Sequence, residues 1–109
     1  KAAGDVVFEV VEKMPSFTGG LDSMYKYIGQ HITYPATAKK EGIQGRVFIS
    51  FIVEKDGQIS NAEILRGIGG GCDELALEVI KNMPKWIPGE QRGKAVRVIY
   101  RMPIKFTLN

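Results

Sequence analysis

The feature that most restricts the fold is the run GRVFISFIVEKDGQISNAEILR, residues 45–66. Val47, Ile49, Phe51 and Val53 recur at every second position, the period of a strand, while Phe48 and Ile52 are apolar on the opposite side. A strand that is apolar on both faces belongs in the middle of a sheet. Asp56-Gly57 then supplies the positive φ angles of a tight turn, and residues 58–66 return as an antiparallel partner.

Other segments add to this hairpin. Near the end, KAVRVIYRMPIKFTLN alternates: Val96, Val98, Tyr100, Met102, Ile104 and Phe106 face one way, and Arg97, Ile99, Arg101 and Lys105 the other. That is a long, half-buried strand. VVFEVVEKMP, residues 6–15, reads as a strand stopped by proline; it either covers the sheet edge at residues 59–66 or packs loosely. Leu21, Met24, Ile28 and Ile32 have helical spacing, weakened by Gly29. Pro35 and Gly42 suit the start and end of a short helix. The strongest helix is residues 72–83, with Leu75, Ala76, Val79, Ile80 and Met83 on one stripe. SFTGG, GIGGG and KWIPGEQRG read as loops. The expected fold is α+β, a small antiparallel sheet of three to four strands with two helices packed on one face. Residues 1–33 form a strand-and-helix lead-in and residues 34–109 the main domain, in one globular unit.

Composition narrows the function. The net charge of +3 is too mild to indicate nucleic acid, and no Lys/Arg block or RNA-reading aromatic motif is present. Cys72 is the single cysteine, so an intrachain disulfide is impossible. Cys72 and His31 together fall short of a zinc ligand set, and neither metal nor cofactor is expected. No apolar run is long enough to cross a membrane, and no signal peptide is visible. The abrupt start at Lys1 suggests an excised domain, with any anchor upstream.

Catalytic candidates are weak. Cys72 lies near a helix start, where thiolates are favoured, but lacks a paired base; an inert thiol is the plainer reading. His31 suits a surface or capping role. Asp73 and Glu74 read as first-turn charges favoured by the helix dipole, not as an acid/base pair. GIGGG lacks the Lys-Ser/Thr ending of a phosphate loop. Trp86 reads as a pin holding a loop on the core, Tyr34 as packing before Pro35, and Tyr25 and Tyr27 as solvent-edge residues. No enzyme is expected.

The order of motifs resembles the C-terminal domain of TonB, in the form common in TonB-like proteins of Bacteroidetes. The matching residues are Tyr34-Pro35 with Ala36 and Ala38, Gly42-Ile43 and Gly45, Asp56-Gly57, Met83-Pro84-Lys85-Trp86 with Pro88-Gly89, and Pro103-Ile104 with Phe106. The resemblance implies a periplasmic module anchored in the inner membrane, partnered by ExbB and ExbD through an upstream part. Such a module grips the TonB box of outer-membrane transporters and passes on force derived from the proton gradient. Siderophores, vitamins or glycans are then taken up. The segment after the Tyr-Pro pair also touches the transporter in this family, which makes Thr37, Lys39 and Lys40 accessory contacts. Thr37 and Lys39 stand where the best-known TonB has Arg and Gln, so the side-chain part of that contact differs here.

An extended peptide binds most simply by adding a strand to a sheet edge. Pro103 marks the last strand as an edge, because proline cannot donate to a ladder. The expected capture strand is Val96, Arg97, Val98, Ile99, Tyr100, Arg101 and Met102, open along its length. Its cations, with Arg92 and Lys94 nearby, attract an acidic partner or guard the edge against aggregation. An exposed edge also permits a homodimer of the isolated domain. The alternative reading is a peptide-binding or scaffold domain behind a membrane sensor or peptidase.

Overall fold

The computed structural model describes residues 6–108. In chain order the elements are β1 (Val7–Phe8), β2 (Ser16–Phe17), α1 (Gly20–His31), α2 (Ala36–Glu41), β3 (Gly45–Val53), β4 (Ile59–Arg66), α3 (Cys72–Lys81), β5 (Trp86–Ile87), β6 (Gly89–Gln91) and β7 (Lys94–Phe106). The main sheet has five strands, with β1, β7, β3 and β4 side by side and β6 paired to β7. The fold is α+β, as the sequence suggests.

The hairpin forms at its expected turn. Gly57 has φ +85. Its amide donates to the Glu54 carbonyl at 2.9 Å, and the Asp56 side chain accepts from the Gln58 amide at 3.0 Å. β7 runs antiparallel along the other side of β3, from Gly45 opposite Phe106 to Val53 opposite Val98. Opposed residues share a face. Val47, Ile49, Phe51 and Val53 therefore lie with Ile104, Met102, Tyr100 and Val98 on the core face, and the four from β3 have no exposed surface.

The helices cover this face. Met24 of α1, Ala38 of α2 and Cys72, Ala76 and Ile80 of α3 join the same buried cluster. α2 is the short helix expected between Pro35 and Gly42, and it packs on the core beside the two longer ones. It ends at Gly42, whose φ of +69 is the left-handed conformation a helix stop favours. Asp73 organises the glycine loop before α3, its carboxylate accepting from the Ile68 amide at 2.8 Å and the Gly69 amide at 3.3 Å.

Three segments depart from expectation. The strand expected over residues 6–15 is confined to Val7–Phe8. It pairs in parallel with Arg97 and Val98, on the side of β7 away from β3, and does not reach β4. Beyond it the chain bends toward β6: the Lys13 amide donates to the Glu90 carbonyl at 3.1 Å, and the Glu12 carboxylate accepts from the Arg92 amide at 2.7 Å. SFTGG and KWIPGEQRG hold short strands where loops were expected, since β2 pairs with β5 and β6 with β7. These pairs are two or three residues long, too short to show an alternating pattern. Tyr27 is half-buried instead of facing solvent: its hydroxyl donates to the Asn82 carbonyl at 2.9 Å, and its ring lies 5.8 Å from that of Phe17.

Candidate peptide-binding edge

The sheet has two edges. β4 is an irregular one: its register with β3 shifts twice, and Asn61 takes a positive φ of 51. Bulges of this kind twist an edge away from regular pairing. β7 keeps an unbroken register with all nine residues of β3. On its far side β1 occupies Arg97 and Val98. From there, residues 99–106 have no second strand partner among the described residues.

The expected capture strand is thus divided. Val96 pairs with Gly89 of β6, and Arg97 and Val98 pair with β1. Ile99, Tyr100, Arg101 and Met102 keep a free outer edge, which continues to Phe106. The edge is not open along its whole length, because the N-terminal segment folds back onto its start.

The outward charges divide in the same way. The Arg97 guanidinium grips Glu54 through two hydrogen bonds, at 2.7 and 3.2 Å. Ser60 also donates to that carboxylate. The Arg97 hydrogen bond foremost holds the Glu54 carboxyl below its ordinary range, against the opposing effect of burial. Arg101 meets the exposed Glu9 at 3.0 Å. Lys105 stands directly opposite Arg46 of β3, and neither has an ion-pair partner among the described residues. Arg92 and Lys94 are exposed near the start of β7.

Thr37, Lys39 and Lys40 are exposed on α2, while Ala38 between them is buried against the core. Tyr34 ties the start of this helix to the end of β7. Its ring meets Phe106 edge-on at 5.7 Å, and its hydroxyl donates to the Ile43 carbonyl. Burial foremost raises the pKa of that hydroxyl, with Cys72 adding to the effect.

The remaining candidates are structural. Cys72 has no exposed surface, and burial pushes its thiol pKa up, with Asp73 and Glu74 adding to the shift. An inert thiol follows. His31 Nδ1 donates to the Tyr27 carbonyl at 2.8 Å, and the two rings stack at 4.0 Å. Trp86 pins its loop, packed edge-on against Phe17, Phe51 and Tyr100 at 5.0 to 5.7 Å. Among the described residues no group of three His, Cys, Asp or Glu could hold a metal, and no helix is long and apolar enough to cross a membrane.

One feature of the site escaped sequence reasoning. A groove runs between α1 and the free part of β7, with Tyr25, Ile28 and Gly29 on one wall and Pro103, Ile104 and Lys105 on the other. The signal for it was Gly29, a glycine inside a helical pattern.

Comparison with known proteins agrees with this architecture. The profile of the family described as "Gram-negative bacterial TonB protein C-terminal" matches residues 30–108. Two solution structures of the Helicobacter pylori TonB C-terminal domain are similar to this chain. The one spanning residues 194–285 of that protein is 25% identical, with a TM-score of 0.60, covering 79% of this chain and 90% of its own. The one spanning residues 179–285 is 24% identical, with the same TM-score of 0.60, covering 79% of this chain and 78% of its own. No curated protein matches the chain.

Proposed function

Because the chain belongs to the TonB C-terminal domain family, we propose that it is a periplasmic binding module that captures the N-terminal TonB box of outer-membrane transporters by strand addition. The captured segment pairs with β7 along residues 99–106. Force derived from the proton gradient reaches that joint from ExbB and ExbD, through an upstream part of the protein anchored in the inner membrane. The role is binding and transmission, not catalysis.

The observation that carries this reading is the contrast between the two sheet edges. β4 is bulged, whereas β7 is in unbroken register with β3, and its outer side has no strand partner from Ile99 to Phe106 among the described residues. A backbone ladder is tolerant of sequence, which suits one module serving several transporters. It also distributes load over a row of bonds. Each bond contributes about 1 kcal/mol net. Four to six of them give about 4–6 kcal/mol before the cost of association, so the ladder alone supports a Kd no tighter than roughly 40 μM to 1 mM. In this reading Thr37, Lys39 and Lys40, exposed on α2, add a side-chain contact to the transporter.

The test is an NMR titration of the labelled domain with synthetic N-terminal peptides of outer-membrane transporters. Shifts and new amide protection concentrated on residues 99–106 are the expected result. If none of these peptides binds the folded monomer, the capture role is overturned for this chain.

A further inference from the structure

Two features of the groove beside β7 are unfavourable for folding, and they occur together. The first is Gly29. It sits within α1, where glycine is disfavoured relative to alanine. A Cβ built there meets nothing within 4 Å, so no contact inside the molecule requires the glycine. The second is the pair Arg46 and Lys105. They lie directly across the β3–β7 ladder, an arrangement that repels, and neither forms an ion pair among the described residues. Both features line one hollow of about 580 Å3. Phe48, 37% exposed, and Pro103, its partner across the ladder, also line it. Arg66 pairs with Phe48 on the next strand and extends the positive field.

We infer that this groove is the side-chain-reading half of the capture site and takes an extended acidic peptide segment. The inference rests on the strand-addition reading above. A strand laid on residues 99–106 places alternate side chains on opposite faces of the sheet. Those turned toward the core side enter the space beside Tyr25 and Ile28, which suits aliphatic groups. Gly29 leaves room there for the incoming chain to approach α1. Those turned to the outer face near the end of β7 meet Arg46 and Lys105, and a carboxylate there relieves the repulsion between the two cations. Arg97 and Arg101 are already engaged with Glu54 and Glu9, so charge selection concentrates at the Lys105 end.

The experiment compares an eight-residue peptide alternating glutamate and valine with its lysine–valine counterpart, by calorimetry and by NMR mapping. The wild-type chain is expected to bind the acidic peptide at least tenfold more tightly. Gly29→Leu is expected to weaken that binding at least tenfold while the midpoint of thermal unfolding does not fall, since leucine is a better helix former and the site is open. A purely structural glycine would not couple a preserved fold to lost affinity. Arg46→Gln is expected to reduce the preference for the acidic peptide and leave the lysine peptide's affinity unchanged or raised. Equal affinity for the two peptides, or equal binding by Gly29→Leu and wild type, overturns the inference while leaving strand capture standing if residues 99–106 still shift. No binding by either peptide, nor by transporter-derived ones, overturns both.

Discussion

The Trp86 amide donates to the Gly57 carbonyl at 2.8 Å, joining the hairpin turn to the loop after α3. A Cβ on Gly57 would stand 2.1 Å from the Trp86 carbonyl oxygen, with φ at +85. The glycine therefore serves two purposes: it permits the left-handed turn, and it lets a second backbone approach closely. Gly57→Ala is expected to destabilise the domain by about 3 kcal/mol, above the cost of a positive φ alone. Urea denaturation checks this. A loss within the range of an ordinary exposed substitution would show that the two loops separate freely.

Glu54 and Arg97 give the domain a pH-dependent element. The folded-state pKa of Glu54 is depressed, chiefly by its hydrogen bond to Arg97. A depressed carboxylate contributes stability that is fully present above the unfolded-state pKa of about 4.3 and is lost as pH falls through the folded value. Both side chains are about a quarter exposed, at 23% and 26%, so solvent moderates the effect. Glu54→Gln is expected to cost about 1 kcal/mol at neutral pH. The difference from wild type should narrow below about pH 4.3. Thermal melts of both proteins across this window provide the check; a gap independent of pH would assign the pair a packing role only.

β1 covers the start of the edge that the capture reading leaves open. Deleting residues 1–9 removes Val7–Phe8 from β7 and takes Glu9 from Arg101. The free edge then begins two residues earlier, at Arg97, since Val96 stays paired with Gly89 of β6. The expected outcome is a loss of about 1–2 kcal/mol in stability, from the missing ladder bonds. Concentration-dependent dimerisation, visible by sedimentation, should accompany it, because a longer regular edge is a better template for self-pairing. A truncated domain that stays monomeric at high concentration would show that β1 does not guard the edge.

The sequence by itself determined which residues face inward. The two-residue period of β3 and β7, the Asp56-Gly57 turn, the stripe of α3 and the helix stop at Gly42 are local. Each depends on side-chain polarity or on a backbone conformation that few residue types accept. Trp86 and Tyr34 were legible as packing groups for the same reason. Tertiary structure alone decided how the edges were shared. A ladder is made by N–H and C=O groups that nearly every residue carries alike, so Val7 and Phe8 bear no mark that assigns them to β7 instead of β4. The two-residue strands had too few positions for any period. The groove formed only when α1, distant in sequence, came to lie beside Pro103, Ile104 and Lys105. Polarity and conformation are written residue by residue; the pairing of edges and the walls of a groove exist only between segments.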